Sequence, residues 1–125
     1  MTKKEFEITD KLFELAKELE PVANARMIAA VVQKNKIISI GINQKKSHPR
    51  AKELQENNEK IYLHAEMAAI LQAERTHGSL EGMDIYIIRA KRNGGGWTYG
   101  TSMPCKACYQ LITEVGIKNV YATTK

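Results

Sequence analysis

Two short stretches of this 125-residue chain hold side chains that could do chemistry together. One is His64-Ala65-Glu66, and the other is Pro104-Cys105-Lys106-Ala107-Cys108. Cys105 and Cys108 are the only cysteines in the chain. At the start of a helix, positions i and i+3 project from one side, so both thiols can serve one ion. Two thiolates and one imidazole make three of the four tetrahedral positions of zinc, and a catalytic site leaves the fourth for water. Glu66 follows the histidine too closely to be a comfortable ligand of the same ion, yet it can reach the bound water. Zinc lowers the pKa of that water to about 7, giving hydroxide at neutral pH. A carboxylate beside it can take a proton and hand it to a ring nitrogen and then to a departing amine.

Blander readings exist for each piece. A lone C-x-x-C near a βα unit also suits a thioredoxin-like redox pair. A purely structural zinc would want a fourth protein ligand, and the spare histidines, His48 and His77, lack motif spacing to either stretch. A single histidine is more often a satisfied core residue, and a single glutamate a solvated helix residue. Their joint occurrence with the cysteines, in order and at two helix starts, favours a hydrolytic metal site. A redox or structural module leaves His64 and Glu66 without a role.

The elements that must position these residues follow from periodicity and punctuation. Residues 4–20 put Phe6, Leu12, Phe13, Leu15, Ala16 and Leu19 largely on one helical face, interrupted by Thr9 and Asp10, and the helix should end before Pro21. Residues 26–33 and 36–42 are apolar and β-branched around Lys34-Asn35, which predicts a hairpin. Residues 43–60 are polar and read as a long loop with a short helical piece at 50–58. Residues 63–76 carry strong helix formers up to Gly78. Residues 83–90 form a buried strand, and KRNGGGWTYG reads as a glycine-rich turn too flexible for regular structure. Residues 104–115 form a helix that Gly116 ends, and Ile117 to Thr123 a last strand. The order α-ββ-α-β-α-β describes one α/β domain over residues 1–125, a single mixed sheet layered with helices. Its later strands should be parallel, with right-handed crossovers.

Composition sets the outer bounds. Hydrophobic residues make up 43% and charged residues 26%, ordinary for a globular domain with its own core. No apolar run approaches the roughly 18 residues needed to span a bilayer. The charged, amphipathic N-terminus is unlike a signal peptide, so no membrane association and a cytoplasmic location are expected. The net charge of +5 permits an anionic partner without demanding one.

The H-x-E and P-C-x-x-C motifs, in this order, resemble those of the cytidine deaminase superfamily. The resemblance runs from about Ala25 to Ala122, through Gly41-Ile42-Asn43, His64-Ala65-Glu66 with Ala69-Ile70, Met103-Pro104-Cys105-Lys106-Ala107-Cys108 and GIKNVYAT. It is greatest to small, phage-type deoxycytidylate deaminases. It implies a cytidine deaminase-like fold, zinc on His64, Cys105 and Cys108, and Glu66 as proton shuttle. Asn43 matches an asparagine that contacts sugar or base, although a loop-capping role after a strand suits it equally. The backbone N–H of Ala65 matches the donor to the pyrimidine carbonyl. Ala68 departs from relatives that carry asparagine there. The last strand, close to Lys125, should be a sheet edge, which together with the family's habit implies a homo-oligomer.

The substrate implied is a free cytosine nucleotide or nucleoside, foremost dCMP converted to dUMP. Lys45, Lys46, Arg50, Arg89 and Arg92 are candidates for holding a phosphate. A second possibility is cytosine or adenine in single-stranded DNA or RNA, for which Lys91, Arg92, Trp97 and Tyr99 would supply cations and stacking surfaces.

Overall fold

A computed structural model describes residues 2–19, 26–43, 64–104 and 106–123. The order among them is α1 (Lys3–Lys17), β1 (Arg26–Gln33), β2 (Lys36–Ile42), α2 (Ala65–His77), β3 (Asp84–Asn93), β4 (Gly96–Gly100), α3 (Lys106–Glu114) and β5 (Asn119–Ala122). The expected loop at 43–60, with its helical piece, lies beyond Asn43 outside the described residues.

The first hairpin forms where expected. Lys34 and Asn35 both take positive φ (50° and 63°), the backbone that a two-residue turn needs to match the strands' twist. Strand β1 pairs antiparallel with β2 on one side and with β3 on the other. The second side of β3 is divided: Asp84–Ile87 pair parallel with β5, and Arg89–Asn93 pair antiparallel with β4. The sheet is therefore mixed, and the parallel expectation holds for β3 and β5.

Strand β4 corrects the sequence reading. KRNGGGWTYG is no flexible turn but the end of β3, a tight tip and β4, a hairpin in which Arg92 faces Trp97 and Asn93 faces Gly96. Only Gly94 and Gly95 form the tip. Trp97 lies within 5.1 Å of the Arg26 guanidinium and 5.0 Å of the Arg92 guanidinium. Tyr99 packs on Phe13 with ring centroids 4.2 Å apart. These contacts hold the strand in place although its ends are glycines.

Helix α1 covers one face of the sheet, and α2 and α3 cover the other. Ile8, Leu12 and Ala16 bury against Ile28, Ala30, Val32, Tyr86, Ile88 and Ala90. The expected apolar stripe is shifted: Phe6 is 56% exposed, whereas Thr9 is buried. The true seam is the i, i+4, i+8 series Ile8–Leu12–Ala16, from which Phe6 is rotated away. On the other face Ala29, Val31, Ile85 and Ile87 pack with Ala65, Met67, Ala69, Ile70, Cys108, Leu111 and Ile112. An irregularity in the β1–β2 register, between Val31 and Val32, lets both Ile38 and Ser39 face this second layer. Among the described residues, no helix is long and apolar enough to cross a membrane.

Candidate metal centre

Helices α2 and α3 begin at the same end of the sheet, and their starts meet. His64 is the N-cap of α2, with extended backbone (φ −74°, ψ 152°). Its carbonyl accepts from Ala68 N at 3.0 Å and so opens the helix. Its side chain makes no capping bond to its own helix. The ring turns instead toward α3, with Nδ1 3.1 Å from Cys108 Sγ. Cys108 is fully buried, and Glu66, in the first turn of α2, is only 2% exposed. The donor atoms of His64, Glu66 and Cys108 all lie within 4.8 Å of one another.

This donor set suits zinc. Zn–N and Zn–S bonds of about 2.0 and 2.3 Å at a tetrahedral angle put the two donor atoms roughly 3.5 Å apart. The 3.1 Å separation needs only a small opening to admit the ion. The positive ends of two helix dipoles favour thiolate and carboxylate there. Cys105, the remaining sequence-expected ligand, lies outside the described residues, as do His48, Lys45, Lys46 and Arg50. His77 ends α2, roughly 18 Å along the helix from its start, where its ring contacts Thr76 Oγ1 at 3.1 Å.

Close approach of β2 fixes where α2 begins. A Cβ on Gly41 would lie 2.5 Å from Ala65 O and 2.8 Å from the Ala68 carbonyl carbon, and closer still to Ala69 N. Only glycine permits this contact, and the small residues Ala65, Ala68 and Ala69 form the other half of it. Ser39, one step back on the same strand face, donates to Ala69 O at 2.7 Å. Asn43 caps the strand: its Oδ1 accepts from Met27 N at 3.1 Å and its own N–H donates to Met27 O at 3.3 Å. Its oxygen thus has the structural role considered for it, at the end of β2 nearest the start of α2.

The approach to α3 is tied down by residues that sequence reasoning missed. Ser102 Oγ donates to Ile87 O (2.6 Å) and accepts from Thr123 N (2.8 Å), while Thr123 Oγ1 donates to Gly100 O (2.6 Å). Ser102 N donates to Thr123 O at 2.9 Å. The segment entering the cysteine motif is therefore bolted to the middle of β3 and to the residue that follows β5. Two hydroxyls in a polar stretch carry no periodic signal, so nothing in the sequence marked them.

Trp97 and Tyr99 do not face this centre. Both pack on the α1 side of the sheet, and Tyr99 also donates to Asp10 Oδ1 at 3.5 Å. Of the aromatic pair considered for stacking on single-stranded nucleic acid, Tyr99 seats α1 and Trp97 lies against Arg26 and Arg92.

The sequence matches the family described as the cytidine and deoxycytidylate deaminase zinc-binding region over residues 2–124, and the chain belongs to that family. Among solved structures it is similar to a dCMP deaminase from the cyanophage S-TIM5 in apo form, at 23% identity and a TM-score of 0.68, covering 99% of this chain and 86% of that one. The same phage enzyme in complex with dCMP and dUMP matches at 22% identity and a TM-score of 0.63, over 97% and 85% of the two chains. A diaminohydroxyphosphoribosylaminopyrimidine deaminase/5-amino-6-(5-phosphoribosylamino)uracil reductase from Thermotoga maritima matches at 25% identity and a TM-score of 0.54. There the likeness covers 98% of this chain and 29% of the longer one. No curated protein matches the sequence. These likenesses bear out the α/β deaminase fold expected from the motifs.

Proposed function

We propose that this chain is a zinc-dependent hydrolytic deaminase acting on cytosine in a free nucleotide or nucleoside, foremost dCMP, which becomes dUMP. The observation that carries the reading is the convergence of His64, Glu66 and Cys108 at two helix starts. His64 and Cys108, with Cys105, would hold the zinc, whose Lewis acidity would supply a nucleophile from water near neutral pH. Glu66 would take a proton from that water and deliver it to cytosine N3. A further transfer through the same carboxylate to the exocyclic nitrogen lets it leave as ammonia. The overall balance is cytosine plus water giving uracil plus ammonia.

Other groups orient the base. The Ala65 N–H lies in the first turn of α2, where backbone donors have no partner within the helix, and it would donate to the pyrimidine carbonyl. Asn43, held at the end of β2 by Met27, would contact the sugar or base. Burial of Glu66 keeps bulk water from competing for its proton. A homo-oligomer, formed where β5 offers a sheet edge, belongs to the same proposal.

The test is ammonia release from dCMP, deoxycytidine and cytidine by the zinc-loaded protein, with and without Glu66→Gln. The substitution is expected to keep the metal and to lower kcat by at least ~10²–10⁴-fold. A zinc-retaining wild type that releases no ammonia from any of the three overturns the reading. Substantial turnover by Glu66→Gln removes the carboxylate from the mechanism.

A further inference from the structure

One row of the sheet crosses the molecule just beyond the start of α2. Asn43 hydrogen-bonds Met27, Met27 pairs with Arg89, and Arg89 pairs with Gly100. The next row inward, Gly41, Ala29 and Ile87, lies against the first turn of α2. Alternation along β3 puts Arg89 on the face of Ile85 and Ile87, the face that packs with Ala65 and Cys108. Arg89 is thus level with Asn43 and two strands away, roughly 10 Å at the usual strand spacing. A mononucleotide can bridge that span.

The side chain of Arg89 lies across Gly100, where a Cβ would come within 2.8 Å of Cδ and 3.2 Å of Nε. Its Nε is buried and has no hydrogen-bond partner among the described residues. A desolvated guanidinium N–H without an acceptor is costly, and folded proteins rarely leave one unless a ligand or water completes it. Arg92, the other described candidate for a phosphate, stands over Trp97 on the opposite face. The two arginines are therefore not equivalent, and only Arg89 is on the side of the metal centre.

We infer that Arg89 reads the phosphate of the substrate and makes this site prefer a nucleotide to a nucleoside. The planar guanidinium offers parallel N–H donors that match phosphate oxygens, and its position on a central strand pre-orients them. Gly100 is part of the device, because any larger residue would displace the arginine stem. The inference rests on the proposed function for the location of the pocket and adds which chemical group of the substrate is recognised, and by what.

Binding, rather than turnover, tests it. Calorimetric titration of the zinc-loaded protein with dUMP and with deoxyuridine is compared for wild type, Arg89→Met and Arg89→Lys. The expected result is tighter binding of dUMP by wild type and a loss of about 10- to 100-fold for dUMP in Arg89→Met. Deoxyuridine affinity should stay within about two-fold. Arg89→Lys, which keeps the charge without the planar fork, should fall between the two and separates recognition from folding. Equal losses for both ligands, or a nucleotide preference that survives both substitutions, overturns the inference. An Arg89-dependent preference for dUMP without deamination of dCMP would instead sink the proposed reaction and leave this inference standing.

Discussion

Replacing Gly41 by alanine adds one methyl group at the point where β2 touches α2, and the consequence can be worked out. The new Cβ would sit 2.5 Å from Ala65 O, and ordinary contact begins near 3.4 Å, so the two backbones must part by at least about 0.9 Å. The obstacle is backbone on both sides, which cannot swing away as a flexible side chain would. Overpacking of this kind costs about 1–3 kcal/mol, and the upper half of that range applies here. For a domain of this size the thermal midpoint should fall by roughly 8–12 °C. His64 and Glu66 flank Ala65, so the same shift moves both relative to Cys108. A misplacement near 1 Å can reduce catalysis about 10²-fold. Gly95→Ala is the control, since a Cβ there meets nothing within 4 Å. Circular dichroism melts, zinc content and deaminase assays on both variants make the comparison. If Gly41→Ala melts and binds zinc as Gly95→Ala does, close approach of β2 does not set the site.

Two further outcomes follow from other parts of the molecule. Cys108→Ser should lose zinc and melt lower, and chelation of the wild type should produce a similar fall, measured by metal analysis and melting; unchanged metal content would refute the ligand assignment. Alkaline pH should also weaken the fold, because burial pushes the Tyr86 hydroxyl up to about 12 and raises those of Tyr99 and Tyr121. The folded state then holds protons that the unfolded chain releases near pH 10, so the tyrosine contribution is complete below about pH 10. It is lost as pH climbs toward 12, a trend that urea unfolding across this range, with absorbance near 295 nm, would show.

Much of the fold was legible because its signals are local. Lys34-Asn35 between two β-branched runs specifies a turn, Gly78 and Gly116 stop helices by taking positive φ, and each needs only its neighbours in sequence. Strand β4 was hidden because three successive glycines suggested flexibility. The strand is held by Arg26, Arg92 and Phe13, of which Arg26 and Phe13 lie far away in sequence. Phe6 was misplaced because a run of apolar residues does not say which stripe faces the sheet.

The same division holds at the metal centre. By itself the sequence determined the kinds of donor atom, because H-x-E and C-x-x-C name their chemistry and place it at helix starts. Only tertiary structure decided that His64 turns its ring onto Cys108 instead of capping its own helix. It also decided that Gly41 and Ser39 set the depth of α2, and that Ser102 and Thr123 bolt the entry to α3. Tertiary structure likewise separated Arg89 from Arg92, placing them on opposite faces of one strand. Side-chain chemistry belongs to each residue, whereas close approach, burial and the facing of an arginine depend on how distant strands and helices meet.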